Sequence, residues 1–130
     1  MGNHFGEHIT IDGYGGNKDQ LDNKEIINNA LIELPGLLGM KILIPPVIVS
    51  VADNGLKDPG GWTGFVIIAE SHISIHTFPK RGFLSADVYT CKNGMDTGLI
   101  KTYFQNKFTL TELETNFIKR GIKYPPQNLT

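Results

Sequence analysis

Ser71, His76 and Cys91 are a hydroxyl, an imidazole and the only thiol of the chain, and the hydroxyl directly follows a carboxylate, Glu70. A hydroxyl can attack a carbonyl, an imidazole can take a proton, and a thiol can return one. An ordinary serine nucleophile would need a Gly-x-Ser-x-Gly elbow to expose it. Ala69-Glu70-Ser71-His72-Ile73 has no such elbow. His72 and His76 are four apart, a spacing that suits a metal on a helix, but on a strand they lie roughly 13 Å apart. With no HExxH or paired-cysteine pattern either, no metal site is expected.

The elements around these residues decide which of them can meet. Val66–Ala69 is a short apolar run, Ser71–Phe78 alternates, Pro79-Lys80-Arg81-Gly82 is a turn, and Phe83–Cys91 alternates again. This is a β-hairpin pattern. With Phe78 opposite Phe83, the facing pairs are His76 with Ser85, Ser74 with Asp87, His72 with Tyr89, and Glu70 with Cys91. One face then carries His72, Ser74, His76, Ser85, Asp87, Tyr89 and Cys91; the other carries Ile73, Ile75, Thr77, Leu84, Ala86, Val88 and Thr90. Side chains alternate with period two, so this register separates a dry face from a polar one and brings Cys91 beside the Glu70–Ser71 bond.

The run Glu70-Ser71-His72, then His76-Thr77-Phe78-Pro79, then Asp87-Val88-Tyr89-Thr90-Cys91 resembles the prokaryotic S-adenosylmethionine decarboxylase family, with the histidine five and the cysteine twenty residues after the serine. The likeness is strongest over Thr63–Cys91 and extends more loosely from Gly6 to about Gly121. It implies an enzyme that makes its own pyruvoyl cofactor. Ser71 would attack the Glu70 carbonyl, the amide would become an ester, and elimination across Ser71 would leave chains 1–70 (β) and 71–130 (α), the second starting with a pyruvoyl group derived from Ser71. That group serves as electron sink while carbon dioxide leaves. The resemblance also implies that His76 removes the Ser71 α-proton, that Cys91 protonates the decarboxylated substrate, and that Thr63, where the family usually has serine, assists processing. Threonine keeps the hydroxyl but is stiffer about χ1.

Lys80 departs from the family pattern, which commonly has a glutamate there to hold the substrate ribose. A lysine cannot accept those hydrogen bonds, and losing two bonds of roughly 1.5–3 kcal/mol each costs on the order of 100-fold in affinity. An aromatic stacking position before Pro59-Gly60-Gly61 is also missing, with Lys57 near it. S-adenosylmethionine remains the first substrate, feeding spermidine synthesis; arginine or ornithine is the alternative, and a non-catalytic regulatory paralogue a further one. Asp12, Phe78 and Lys80 are the candidate substrate contacts. Phe78 stands where relatives often have tryptophan, although Trp62, Phe65 and Phe78 are each read first as core residues. Asp87 and Tyr89 share the polar face and are equally compatible with solvated or structural roles.

The remaining chain supports one domain. Its 130 residues carry 12 basic and 13 acidic side chains, formal charge −1, which gives no electrostatic case for nucleic acid or an anionic membrane. No apolar run is long enough to span a membrane, Met1–Ile11 lacks a signal-peptide core, and one cysteine cannot form an internal disulfide, which together suit a reducing cytoplasm. Gly6–Tyr14 alternates as a first strand, and the glycine-rich stretch after it runs as a loop through Lys18 that lacks the ending of a phosphate loop. Asp22 and Glu25 suggest a capping box for a helix through Leu34, which Pro35-Gly36 ends or kinks. Lys41–Ala52 is a strand that bends at Pro45-Pro46 or lies at an edge, Asp53–Trp62 a loop, Asp96 or Thr97 the cap of a second helix, Phe108–Ile118 a last strand, and Lys119–Thr130 a surface tail. The expected fold is α+β, a two-layer sandwich of an antiparallel-rich sheet with two helices on one face. In the resembled family this arrangement comes with a homodimer whose sites lie near the interface.

Overall fold

The computed structural model of the chain describes residues 4–128; the first three residues, part of the segment expected to lack a signal-peptide core, and the last two of the expected surface tail lie outside the described residues. Six antiparallel strands form one sheet, β1 (Gly6–Tyr14), β2 (Val47–Val51), β3 (Gly61–Ile68), β4 (Ser71–Phe78), β5 (Phe83–Thr90) and β6 (Glu112–Arg120), in the order β2-β3-β4-β5-β1-β6. Helices α1 (Lys18–Leu21), α2 (Lys24–Leu37) and α3 (Thr97–Phe108) complete the layer pair. Ile9, Ile11, Val66, Ile68, Ile73, Ile75, Leu84, Ala86 and Val88 face Ile27, Leu31, Leu34, Ile100, Phe104 and Phe108 in one buried core. Each such side chain contributes about 1.5–3 kcal/mol on burial, so the helix-covered face carries most of the stability. Among the described residues no helix is long and apolar enough to cross a membrane.

The β4–β5 register is the expected one, with Phe78 opposite Phe83, His76 opposite Ser85, Ser74 opposite Asp87 and His72 opposite Tyr89. Gly82 closes the intervening 3₁₀ turn Pro79–Arg81 at φ +62°, a left-handed conformation that a Cβ would penalise.

Several elements differ from expectation, each for a local reason. The run before Ser71 is not one strand with it: Gly61–Ile68 is a separate strand that reverses at Ala69-Glu70 and pairs Thr63 with His76. Its period-two alternation buries Val66 and Ile68 and turns Phe65 and Ile67 outward, so Phe65 is not a core residue. Pro45-Pro46 delay the preceding strand until Val47; upstream only Ile42 bridges, to Ile68. Helix α2 is capped by Asn23, whose side chain accepts the Glu25 and Ile26 N–H groups, while Asp22 accepts from Trp62 Nε1 instead. That helix runs past Pro35 to Leu37 and ends through Met40 N–H on the Pro35 carbonyl. The expected loop before Asp22 contains α1, capped by Asn17. Helix α3 keeps Phe108, so β6 starts at Glu112 and continues to Arg120, two residues into the expected tail.

Candidate active site

Among the described residues the polar face of the sheet has no helix over it; two groups of chemistry lie along that face, and a third sits at its end, where Ser71 pairs with the buried Ile68 and Thr90. The first is at the tight β3–β4 reversal. Ser71 opens β4 at φ +141°, a conformation that L side chains rarely adopt and that costs on the order of 1–3 kcal/mol. The amide just before it joins Ser71 to Glu70, whose carbonyl accepts the Cys91 N–H at 2.8 Å. A hydrogen bond to that oxygen withdraws charge and stabilises an oxyanion formed by attack at the carbonyl carbon. One side-chain oxygen of Glu70 is buried without a hydrogen-bond partner. The Cys91 residue itself is exposed.

The second group is at the other end of β4. Thr63 Oγ1 and His76 Nδ1 are 3.2 Å apart, brought together because β3 and β4 pair at those positions. Ser71 and His76 are five residues apart on one extended strand, hence roughly 17 Å along it. A single chain therefore brings together Ser71, Glu70 and the Cys91 backbone, and separately Thr63 and His76, but not the two sets.

Between them is a group that sequence spacing did not reveal. Asp87 Oδ2 lies 2.6 Å from His8 Nε2 and 3.0 Å from His72 Nε2, and Asp87 Oδ1 accepts from Ser74. Arg120 Nη1 lies 2.8 Å from His8 Nδ1, and its guanidinium sits over the Tyr89 ring at 4.9 Å. Burial pushes the Asp87 carboxyl up, but the Ser74, His8 and His72 contacts outweigh it and hold the group below the usual carboxylate range. The ligand atoms of His8, His72 and Asp87 lie within 4.8 Å of one another and are close enough to share a metal ion. A guanidinium can only donate, so His8 Nδ1 accepts from Arg120 and the imidazole proton sits on Nε2, aimed at Asp87. That proton and the adjacent cation suit a hydrogen-bond network better than a cation site. His8 does show polar parity in the sequence, but only the sheet order makes it a neighbour of β5, and Arg120 falls in the stretch that reads as tail.

The candidate substrate contacts cluster at the His76 end. Asp12 is opposite both Ser85 and Glu114, on the His76 rung. Phe78 lines a cavity of about 610 Å³ with Tyr14, Lys57, Asp58, Pro59, Arg81 and Phe83. Its aromatic wall is continuous, with ring centroids 5.4 Å apart for Phe78–Phe83 and 5.3 Å for Tyr14–Phe83. Lys80 lies outside this wall and reaches Asp53 at 3.4 Å.

A family model described as S-adenosylmethionine decarboxylase matches residues 7–121. A protein of Clostridium botulinum (strain Langeland) named S-adenosylmethionine decarboxylase proenzyme is 36% identical over 116 residues, 89% of this chain and 94% of the relative. One of the same name from Caldicellulosiruptor saccharolyticus is 31% identical over 122 residues, 94% and 93% of the two chains. The crystal structure of the adenosylmethionine decarboxylase from Aquifex aeolicus VF5 superposes with a TM-score of 0.77 at 29% identity, covering 91% of this chain and 92% of that one. The matched span runs from β1 through β6 and takes in all three groups, and the chain belongs to the S-adenosylmethionine decarboxylase family.

Proposed function

We propose that the chain is an S-adenosylmethionine decarboxylase precursor that cuts itself between Glu70 and Ser71. The observation carrying this is the Glu70–Ser71 amide: a strained Ser71 on one side, and on the other a carbonyl held by the Cys91 N–H. Attack by Ser71 Oγ on the Glu70 carbon breaks the C–N bond, forms an ester and frees the Ser71 amine. The backbone strain at residue 71 is available to offset the loss of amide resonance. Removal of the Ser71 α-proton then expels the Glu70 carboxylate and leaves dehydroalanine, from which water releases ammonia and yields a pyruvoyl group. That group supplies an electron sink for the bond that loses carbon dioxide.

The roughly 17 Å between Ser71 and His76 supports an imidazole supplied by a second copy. A two-fold axis lying across the strands at the level of Ser74, between two stacked open faces, exchanges the Ser71 end of one sheet for the His76 end of the other. Val47, Val49, Phe65 and Ile67 are exposed apolar side chains on that face, and stacking would cover them. In the homodimer His76 of the partner subunit, oriented by the partner subunit's Thr63, takes the α-proton, and Cys91 returns a proton to the substrate carbon.

The aromatic cavity of Tyr14, Phe78 and Phe83 favours an adenosyl group, which can stack on such walls, over a small aliphatic amino acid. The Lys80–Asp53 pair favours the second reading, arginine or ornithine as substrate, because no glutamate stands at Lys80 to hold a ribose. Carbon dioxide release measured side by side with S-adenosylmethionine, arginine and ornithine distinguishes them. Mass spectrometry of the purified chain is expected to give fragments 1–70 and 71–130, the second blocked to Edman degradation. A chain that stays intact on prolonged incubation would falsify the self-cleavage.

A further inference from the structure

His4 and Glu7 lie outside the residues assigned to the reaction, yet they are 4% and 7% exposed. A buried ionisable pair needs a reason, since desolvation makes it costly. His4 Nε2 meets Glu7 Oε2 at 3.1 Å. The other carboxylate oxygen, Oε1, accepts the N–H groups of Gly94 at 3.1 Å and Met95 at 2.9 Å, and the His4 carbonyl accepts from Asn93 Nδ2 at 3.1 Å. Three hydrogen bonds thus tie this segment to residues 93–95, the turn that begins two residues after Cys91.

A second observation points to the same place. Between His4 and Glu7, a Cβ at Gly6 would lie 2.5 Å from the Thr90 carbonyl oxygen and 3.1 Å from Cys91 Cα. Only a glycine lets β1 press this closely on the Cys91 backbone. Strand β5 ends at Thr90, so Cys91 itself has left the regular ladder. Its N–H is held on the Glu70 carbonyl, and the Gly94-Met95 backbone just beyond it is held by Glu7. Burial pushes the Glu7 carboxyl up, while the Met95 N–H, the His4 imidazole and the Gly94 N–H together bring it below the usual range, so it meets those amides as an anion.

We infer that the His4–Glu7 pair is a positioning element of the active site, fixing the turn after Cys91 and through it both the thiol and the N–H that meets the Glu70 carbonyl. This rests on the roles proposed for Ser71 and Cys91. Neither His4 nor Glu7 touches substrate; they act through the Cys91 segment.

The test uses full-length Glu7→Ala, Glu7→Gln and His4→Ala, with Leu21→Ala as a control for lost stability, since Leu21, the last residue of α1, is buried beside Gly16 near the opposite end of the sheet. In the uncleavable Ser71→Ala background, Glu7→Ala is expected to raise amide exchange at Gly94 and Met95 at least about tenfold. The rate of Cys91 alkylation by iodoacetamide is expected to change by at least about threefold, because thiol access depends on how the turn is held. With Ser71 present, cleavage slows and kcat falls about tenfold while KM stays within about twofold. Glu7→Gln, which keeps a carbonyl acceptor, recovers most of each change, and Leu21→Ala leaves Cys91 alkylation unaltered despite a lower melting temperature. Parental alkylation and cleavage in a folded Glu7→Ala chain overturn the inference, as does an equal alkylation change in Leu21→Ala. Should Glu7→Ala not fold, His4→Ala takes the same measurements, and unchanged thiol reactivity there overturns it equally. A parental chain that never cleaves would instead remove the Ser71 assignment, while exchange and alkylation still report on the clamp.

Discussion

Combining two variants, each expected to be inactive, tests the proposed shared site directly. Five steps of roughly 3.3 Å separate Ser71 from His76 on β4, about 17 Å, whereas a proton transfer needs heavy atoms within roughly 3 Å. Ser71→Ala removes the hydroxyl and His76→Ala removes the imidazole, so on the proposed arrangement neither homodimer would have a complete site. A mixed dimer carrying one copy of each has one complete site, formed by Ser71 on the His76→Ala chain and His76 on the Ser71→Ala chain. Purified through two different affinity tags, this dimer should therefore decarboxylate at about half the wild-type rate per dimer, and an untagged random mixture at about a quarter. Mass spectrometry supplies the sharper reading: only the His76→Ala chain is cleaved, and the Ser71→Ala chain stays whole. The reasoning is refuted if the His76→Ala homodimer cleaves at the wild-type rate, or if the mixed dimer cleaves no faster than either parent.

Three further expectations rest on single residues. Thr63→Ala removes the hydroxyl partner of His76 Nδ1, a bond of about 0.5–1.5 kcal/mol, and should slow cleavage up to about tenfold; Thr63→Ser should cleave at least as fast as the parent, and an undiminished Thr63→Ala rate in a time course would contradict the assignment. Phe104 is fully buried under the sheet, so Phe104→Ala should cost about 3–5 kcal/mol in a urea titration, and a loss below about 1 kcal/mol would mean the core is packed differently. Asp87 has a folded-state value below its ordinary one; such a group stabilises fully above the unfolded value and loses that contribution as pH falls through the folded one. The urea midpoint of the parent should thus exceed that of Asp87→Asn at neutral pH and converge with it below about pH 4, and a gap that stays constant down to pH 3 would count against the network.

The sequence made the β4–β5 hairpin legible because its alternation is long, its turn carries Pro79 and Gly82, and only one register keeps His72, Ser74 and His76 off the dry face. The reversal at Ala69-Glu70 was invisible for the opposite reason. Neither residue is a turn former, and apolar residues run almost unbroken from Phe65 to Ala69, so β3 merged with its successor. That single omission hid the Thr63–His76 pairing, which depends on β3 folding back. The helix cap moved by one residue because Asp22 was engaged by Trp62, a contact 40 positions away that local pattern cannot report. The Asp87 network needed the sheet order: β1 enters between β5 and β6, and only then do His8 and Arg120 become neighbours of Tyr89. Spacing along the chain singled out Ser71, His76 and Cys91 as candidates; which of the candidates one copy keeps together depends on how the strands pair.

The strand order has a bearing on what a cut at residue 70 leaves behind. Across the sheet, β2 and β3 precede the cut, β4 and β5 come after it, β1 precedes it and β6 comes after it. The two fragments of such a cut would be woven through each other, and releasing either would mean opening the β3–β4, β5–β1 and β1–β6 seams at once. A cut there would therefore remove a covalent link without creating a free piece, and the new chain end at residue 71 would stay anchored in a sheet that both fragments hold shut.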